Sequence, residues 1–113
     1  MKKIEAFIRP EKLEDIKEMM NTLHLNGLSI TQVMGCGKQK GWKEYVRGTE
    51  VDYNFLSKIK VELVILDEQL EDVLKQINKI AHTGEVGDGK IFISTIDDAI
   101  RIRTSERGID AVK

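Results

Sequence analysis

Two hydrophobic periods, and the order in which they alternate, predict an α+β chain with the element order βαββαβ. Stretches in which every second residue is apolar give way to stretches with an apolar residue every third or fourth position, and glycine-bearing breaks separate them. This is the order of the ferredoxin-like sandwich, an antiparallel sheet with two helices on one face. A long loop is expected between the second and third strands.

Residues 2–9 put Ile4, Ala6 and Ile8 on one side and Glu5, Phe7 and Arg9 on the other, the alternation of a strand. Pro10 then precedes a helix carrying Leu13, Ile16, Met19, Met20 and Leu23, which ends before Asn26 and Gly27. Residues 28–34, with β-branched Ile30, Thr31 and Val33, read as the second strand. From Gly35 to about Ser57 glycine, charge and aromatics mix without period. Most connections in compact domains are about 4–6 residues, so a loop of this length points to function.

Alternation returns at residues 58–66, where Ile59, Val61, Leu63 and Ile65 interleave with Lys58, Lys60, Glu62 and Val64. Asp67 and Glu68 open a second helix with the stripe Leu70, Val73, Leu74, Ile77, Ile80 and Ala81, stopped by Thr83 and Gly84. Residues 90–96 form the fourth strand, and residues 101–103 are expected to add a short last one. The sheet face without helices would carry Phe7, Lys60, Glu62, Phe92 and Ser94, too apolar a surface to be left wholly wet, and burial in an oligomer would account for it.

At 113 residues the chain fits one domain, residues 1–113, with a partner-binding loop at about 36–56 and a C-terminal tail at about 104–113. The 41% hydrophobic and 33% charged residues argue against disorder. A net charge of -1 gives no electrostatic case for general nucleic-acid binding. One cysteine, Cys36, cannot make an internal disulfide, so a cytoplasmic location is expected. Glu5, Arg9 and Glu11 break the apolar start and exclude a signal peptide, and no apolar run nears the roughly 20 residues of a membrane span.

Phosphate-binding chemistry is suggested by two glycine-rich segments. In residues 83–90 (Thr, Gly, Glu, Val, Gly, Asp, Gly, Lys) the glycines let backbone N–H groups converge on an anion, and Lys90 adds charge at the exit. A helix C-cap followed by a tight Asp-Gly turn explains the same residues. Residues 35–41 (Gly, Cys, Gly, Lys, Gln, Lys, Gly) have the same character and the same ordinary alternative, a loop base with solvated lysines. Neither is a Walker A loop or a dinucleotide fingerprint. Arg101 and Arg103, alternating on the expected last strand, would project from one side and grip a polyphosphate, although surface arginines are the commoner explanation of such a pair. Together these features favour a phosphate-bearing ligand.

Other candidates are weaker. His24 and His82 lie near helix ends with no companion ligands, and Cys36 has no histidine beside it. The long loop carries Trp42, Tyr45, Val46, Arg47, Val51, Tyr53 and Phe55, side chains that anchor interfaces, with Phe55 better read as folding back on the body.

On these features the chain resembles the PII nitrogen-regulatory signal transduction family over essentially its whole length. The resemblance rests on residues 83–92, and on Lys2 to Ala6, the Gly35-x-Gly-x-Gln-Lys-Gly41 pattern, Arg47-Gly48, Phe55-Leu56, Lys58-x-Lys60-x-Glu62 and residues 101–104. It implies a homotrimer with ATP or ADP in clefts between subunits. Gly35, Gly37, Lys38, Gln39, Gly87, Asp88, Gly89 and Lys90 would cradle the phosphates, Arg101 and Arg103 would reach them from the neighbouring subunit, and Ser29 and Val64 would lie near the base. It further implies 2-oxoglutarate beside the ATP phosphates through Mg2+, with Gln39 as metal ligand, Lys58 on a carboxylate, and Lys40 and Gly41 completing the site. The implied partners are ammonium transporters, nitrogen-metabolism enzymes or transcription regulators, met by Trp42, Tyr45, Arg47, Thr49, Val51 and Tyr53, with Arg47 entering a transporter pore.

Some positions depart from the family pattern. Val51 replaces a modifiable tyrosine, which excludes uridylylation there, while Thr49 stands where some members carry a phosphorylated serine. Ser29 replaces a common threonine, Lys38 an arginine and Ser105 a glycine; the lysine keeps the charge but loses the planar fork. A regulator that senses adenylates without 2-oxoglutarate is the alternative reading. An RNA-recognition module would need stacking aromatics that residues 58–66 lack, and a phosphoryl-transfer enzyme would need a nucleophile or base that is missing, so no catalysis is expected.

Overall fold

The computed structural model describes the backbone of residues 1–38, 44–46, 49–51 and 53–113 and the side chains of residues 1–35 and 56–113. Strand β1 (Lys2–Ile8) leads through a 3-10 turn, Pro10–Lys12, into helix α1 (Leu13–Thr22). Proline suits that turn because a first-turn N–H would have no helical partner. Strand β2 (Ser29–Lys38), short strands β3 (Glu44–Val46) and β4 (Thr49–Val51), and the long strand β5 (Tyr53–Ile65) follow. A second 3-10 turn, Asp67–Gln69, opens helix α2 (Leu70–Ala81), before strand β6 (Lys90–Thr95) and a last turn of helix, α3 (Ile109–Val112). The Gln69 side chain accepts the Leu66 N–H at 2.9 Å, closing the entry to α2.

The main sheet has the order β2-β5-β1-β6 with every pair antiparallel. Its register brings Ile4 opposite Leu63 and Ile93, and Ala6 opposite Val61 and Ile91. Of these side chains all but the exposed Ile93 meet Ile16 and Met20 of α1 and Val73 and Ile77 of α2 in one core, where Ile4, Ile16, Val61 and Ile77 are completely buried. Both helices therefore cover one face, as the alternation predicts.

The opposite face carries Ser29, Thr31 and Val33 of β2, Lys58 to Val64 in alternation on β5, Lys3, Glu5 and Phe7 of β1, and Lys90, Phe92 and Ser94 of β6. Lys3 bridges Glu5 and Glu62 at 3.3 and 3.4 Å, and Lys60 pairs with Glu62 at 2.8 Å. The Lys60 bond first, then Lys3, lowers the Glu62 carboxyl from its ordinary value. Phe7 and Phe92 meet edge to face, ring centres 5.9 Å apart.

Two expectations need correction. Residues 35–57 were expected to be loop, yet β2 and β5 stay paired past Ser57 to Lys38 opposite Tyr53. β1 reaches only as far as Ile59 on β5, so the extension is a two-stranded ribbon. A ribbon with no third strand has no core face, and its sequence need not alternate. Gly35 therefore sits in extended backbone, where a Cβ would touch the Lys58 side chain at 3.4 Å.

The short strand expected at residues 101–103 is a turn. Ser105 adopts φ of +62°, its N–H donates to the Arg101 carbonyl at 2.7 Å, and Ile100 bridges to Arg107. Without a strand, no alternation places Arg101 and Arg103 on one face.

Candidate functional site

The segment between α2 and β6 is a loop whose shape is set by glycines and by one carboxylate. Gly84, Gly87 and Gly89 all have positive φ, at +89°, +103° and +99°. At Gly89 the constraint is absolute, since a Cβ would lie 1.7 Å from the Phe7 carbonyl oxygen. Asp88 turns inward and accepts the N–H groups of Thr83 and Gly84 at 2.8 and 2.9 Å, together with the Thr83 hydroxyl. The Thr83 hydroxyl and N–H lead the effects that hold the Asp88 carboxyl far below the usual carboxylate range, with Gly84 and Arg9 adding to them. Both proposed readings of this segment are partly visible: it is a tight turn after a helix, and its first N–H groups converge on an anion that the chain itself supplies.

Arg9, at the end of β1, closes the loop from below. Its Nε donates to Asp88 at 3.3 Å and its Nη2 to the Val86 carbonyl at 3.0 Å. Lys58 of β5 donates to the Gly87 carbonyl. Burial, and then the neighbouring Arg9 charge, lower the Lys58 pKa from its ordinary value. Lys58, Gly87, Asp88 and Arg9 are thus one cluster at one end of the helix-free face. Sequence reasoning did not single out Arg9: it stands alone before Pro10, and Asp88 is 79 residues away.

Ser29 and Val64 meet at the other end of that face, in a cavity of about 430 Å3 that Glu62, Asp98, Ala99 and Ala111 also line. Arg101, half-buried next to it, is held by its own chain: Nη2 donates to the Lys113 carbonyl at 2.7 Å and Nη1 pairs with Glu106 at 3.3 Å. Arg103 is exposed, and the neighbouring Ile102 is 95% exposed. Arg107 pairs with Asp98, which fastens the tail over the cavity.

Gln39, Lys40, Gly41, Trp42 and Arg47 lie outside the described residues, as do the side chains of Lys38, Tyr45, Thr49, Val51 and Tyr53. The expected magnesium ligand and the partner-binding side chains therefore have no geometry here. Among the described residues, no group of three or more His, Cys, Asp or Glu side chains is placed to hold a metal ion, and no helix is long and apolar enough to cross a membrane.

Residues 1–106 match the family model "Nitrogen regulatory protein P-II". The P-II protein of Rhizobium meliloti is 49% identical over 112 residues, covering 99% of this chain and 100% of the relative. That of Rhodospirillum rubrum is 50% identical over the same length and coverage. Among solved structures, the chain is similar to Bacillus subtilis GlnK, with a TM-score of 0.82 and 34% identity over 97% of this chain and 96% of that one. A match along this length, on a fold with the same sheet, means that the chain belongs to the P-II family of nitrogen regulatory proteins.

Proposed function

We propose that this P-II protein is a cytoplasmic sensor that binds ATP or ADP in clefts between the subunits of a homotrimer. It binds 2-oxoglutarate when Mg2+ and ATP are present, and signals through its long loop to ammonium transporters, nitrogen-metabolism enzymes or transcription regulators. It acts by binding and not by turnover.

One observation supports this reading most strongly: two groups of the residues expected to meet nucleotide gather at opposite ends of one sheet face. Lys58, Gly87 and Asp88 cluster at one end, and Ser29 and Val64 line a cavity near the other with Ala111, whose carbonyl accepts from Arg101. Val64 lies six residue steps along β5 from Lys58, about 20 Å of strand. One chain thus offers its phosphate loop to one cleft and its base cavity, with Arg101, to another, which a ring of subunits would bring together. Anion binding by the loop would fall to Lys90 and the N–H groups of residues 86–89, because those of Thr83 to Glu85 are taken within the loop. For Arg101 to meet phosphate it must exchange its bonds to the Lys113 carbonyl and Glu106 for phosphate oxygens.

The adenylate-only alternative draws on the engagement of Lys58 with Gly87, which a dicarboxylate would have to replace. Calorimetric titration separates the readings. Heat with ATP, and with 2-oxoglutarate only when Mg2+ and ATP are both present, is expected. Heat with ATP alone supports the alternative, and none with any nucleotide refutes both.

A further inference from the structure

The loop of residues 83–90 is held at three points, and only one of them comes from a side chain that no expected ligand would touch. Asp88 ties the loop to its own start through Thr83 and Gly84. Lys58 holds the Gly87 carbonyl, but in the proposed function it is to leave that carbonyl for a carboxylate. Arg9 is the third point. Its two donors span the loop, from the Val86 carbonyl at 3.0 Å to Asp88 at 3.3 Å, and the guanidinium lies directly beneath Gly87, where a Cβ would come within 3.3 Å of it.

We propose that Arg9 is the positioning residue of this loop, the one that keeps residues 86–90 in phosphate-binding shape whether or not Lys58 is attached to it. The inference rests on the nucleotide-binding reading above and adds a residue to it. Physically, the fork matters as much as the charge: a guanidinium donates in two fixed directions at once, to a carbonyl and to a carboxylate two residues apart along the loop, whereas an ammonium is a single point. The staple also begins where β1 ends, so it transfers the rigidity of the sheet to a loop whose glycines otherwise give it little. Loosening it would make the ligand supply the ordering of the loop, at a cost in affinity.

The test is calorimetry with ATP on the full chain and on Arg9→Ala and Arg9→Lys, with amide spectra of each ligand-free protein. Arg9→Ala is expected to bind ATP about tenfold more weakly. Its amide signals for residues 83–89 should shift or broaden while those of Val61 and Ile77 in the core stay in place. Arg9→Lys should recover only part of the loss, because it restores the charge but not the fork. Full affinity in Arg9→Lys would reduce Arg9 to a bulk charge, and unchanged affinity in Arg9→Ala would remove it from the site; either overturns the inference alone. If Arg9→Ala does not fold, Arg9→Lys decides. Absence of ATP binding by the unaltered chain would overturn the functional reading itself, and this role with it.

Discussion

Asp88 was expected to help cradle phosphates, and its carboxylate accepts from its own loop. Its carboxyl is held well below the ordinary value of 3.8, with the Thr83 hydroxyl the first cause. A lowered folded value means that the ionised group stabilises the fold fully above the ordinary value, and that this contribution is lost as pH falls through the folded one. Asp88→Asn should therefore be less stable than the unaltered chain at pH 7 in urea unfolding, with the gap narrowing below about pH 4. A gap that does not change with pH would contradict this. At Gly89 the prediction is steric: alanine would collide with the Phe7 carbonyl at a φ of +99° and should cost about 3 kcal/mol or more in the same measurement. Gly27→Ala, with positive φ but open space, should cost about 1 kcal/mol. The glycines were legible in the sequence because their spacing is local. Arg9 was not, because its partners lie in a distant part of the chain, and single residues carry no mark of such pairing.

Among the elements, those with a buried side were read most fully, while β2 and β6 were found without one and the outer part of β5 was missed. β1, the inner part of β5 and both helices alternate because one side of each meets the core. The outer part of β5, residues 53–58, pairs with β2 alone and reads as loop. Hydrophobic period records burial and not hydrogen bonding, so a ribbon of two strands escapes it. The misread strand at residues 101–103 is the converse: Arg-x-Arg alternation exists in the sequence, but Ile102 is 95% exposed and nothing fixes a strand there. Hydrogen exchange should show the difference within β5. Amides of Ile59 and Val61 should exchange far more slowly than those of Leu56 and Ser57, since only the former are flanked by two strands and covered by helices. Equal protection along the strand would contradict the ribbon.

For the molecule as a whole, the helix-free face and its margins are the part of the fold that one chain leaves unfinished. Phe92 is 55% exposed, beside the ion pairs of Lys3, Glu5, Lys60 and Glu62. The sequence already marked this face as too apolar for water, and the cluster of Lys58, Gly87 and Asp88 and the cavity lined by Ser29 and Val64 lie at its opposite ends. If the proposed function holds, assembly and nucleotide binding are one property, because the proposed cleft forms only where two chains meet. Native mass spectrometry in the presence of ATP tests it most directly. The account predicts a three-chain species that gains up to three ATP, with no ATP on any single chain. A single-chain species that binds ATP, or a trimer that binds none, would contradict it.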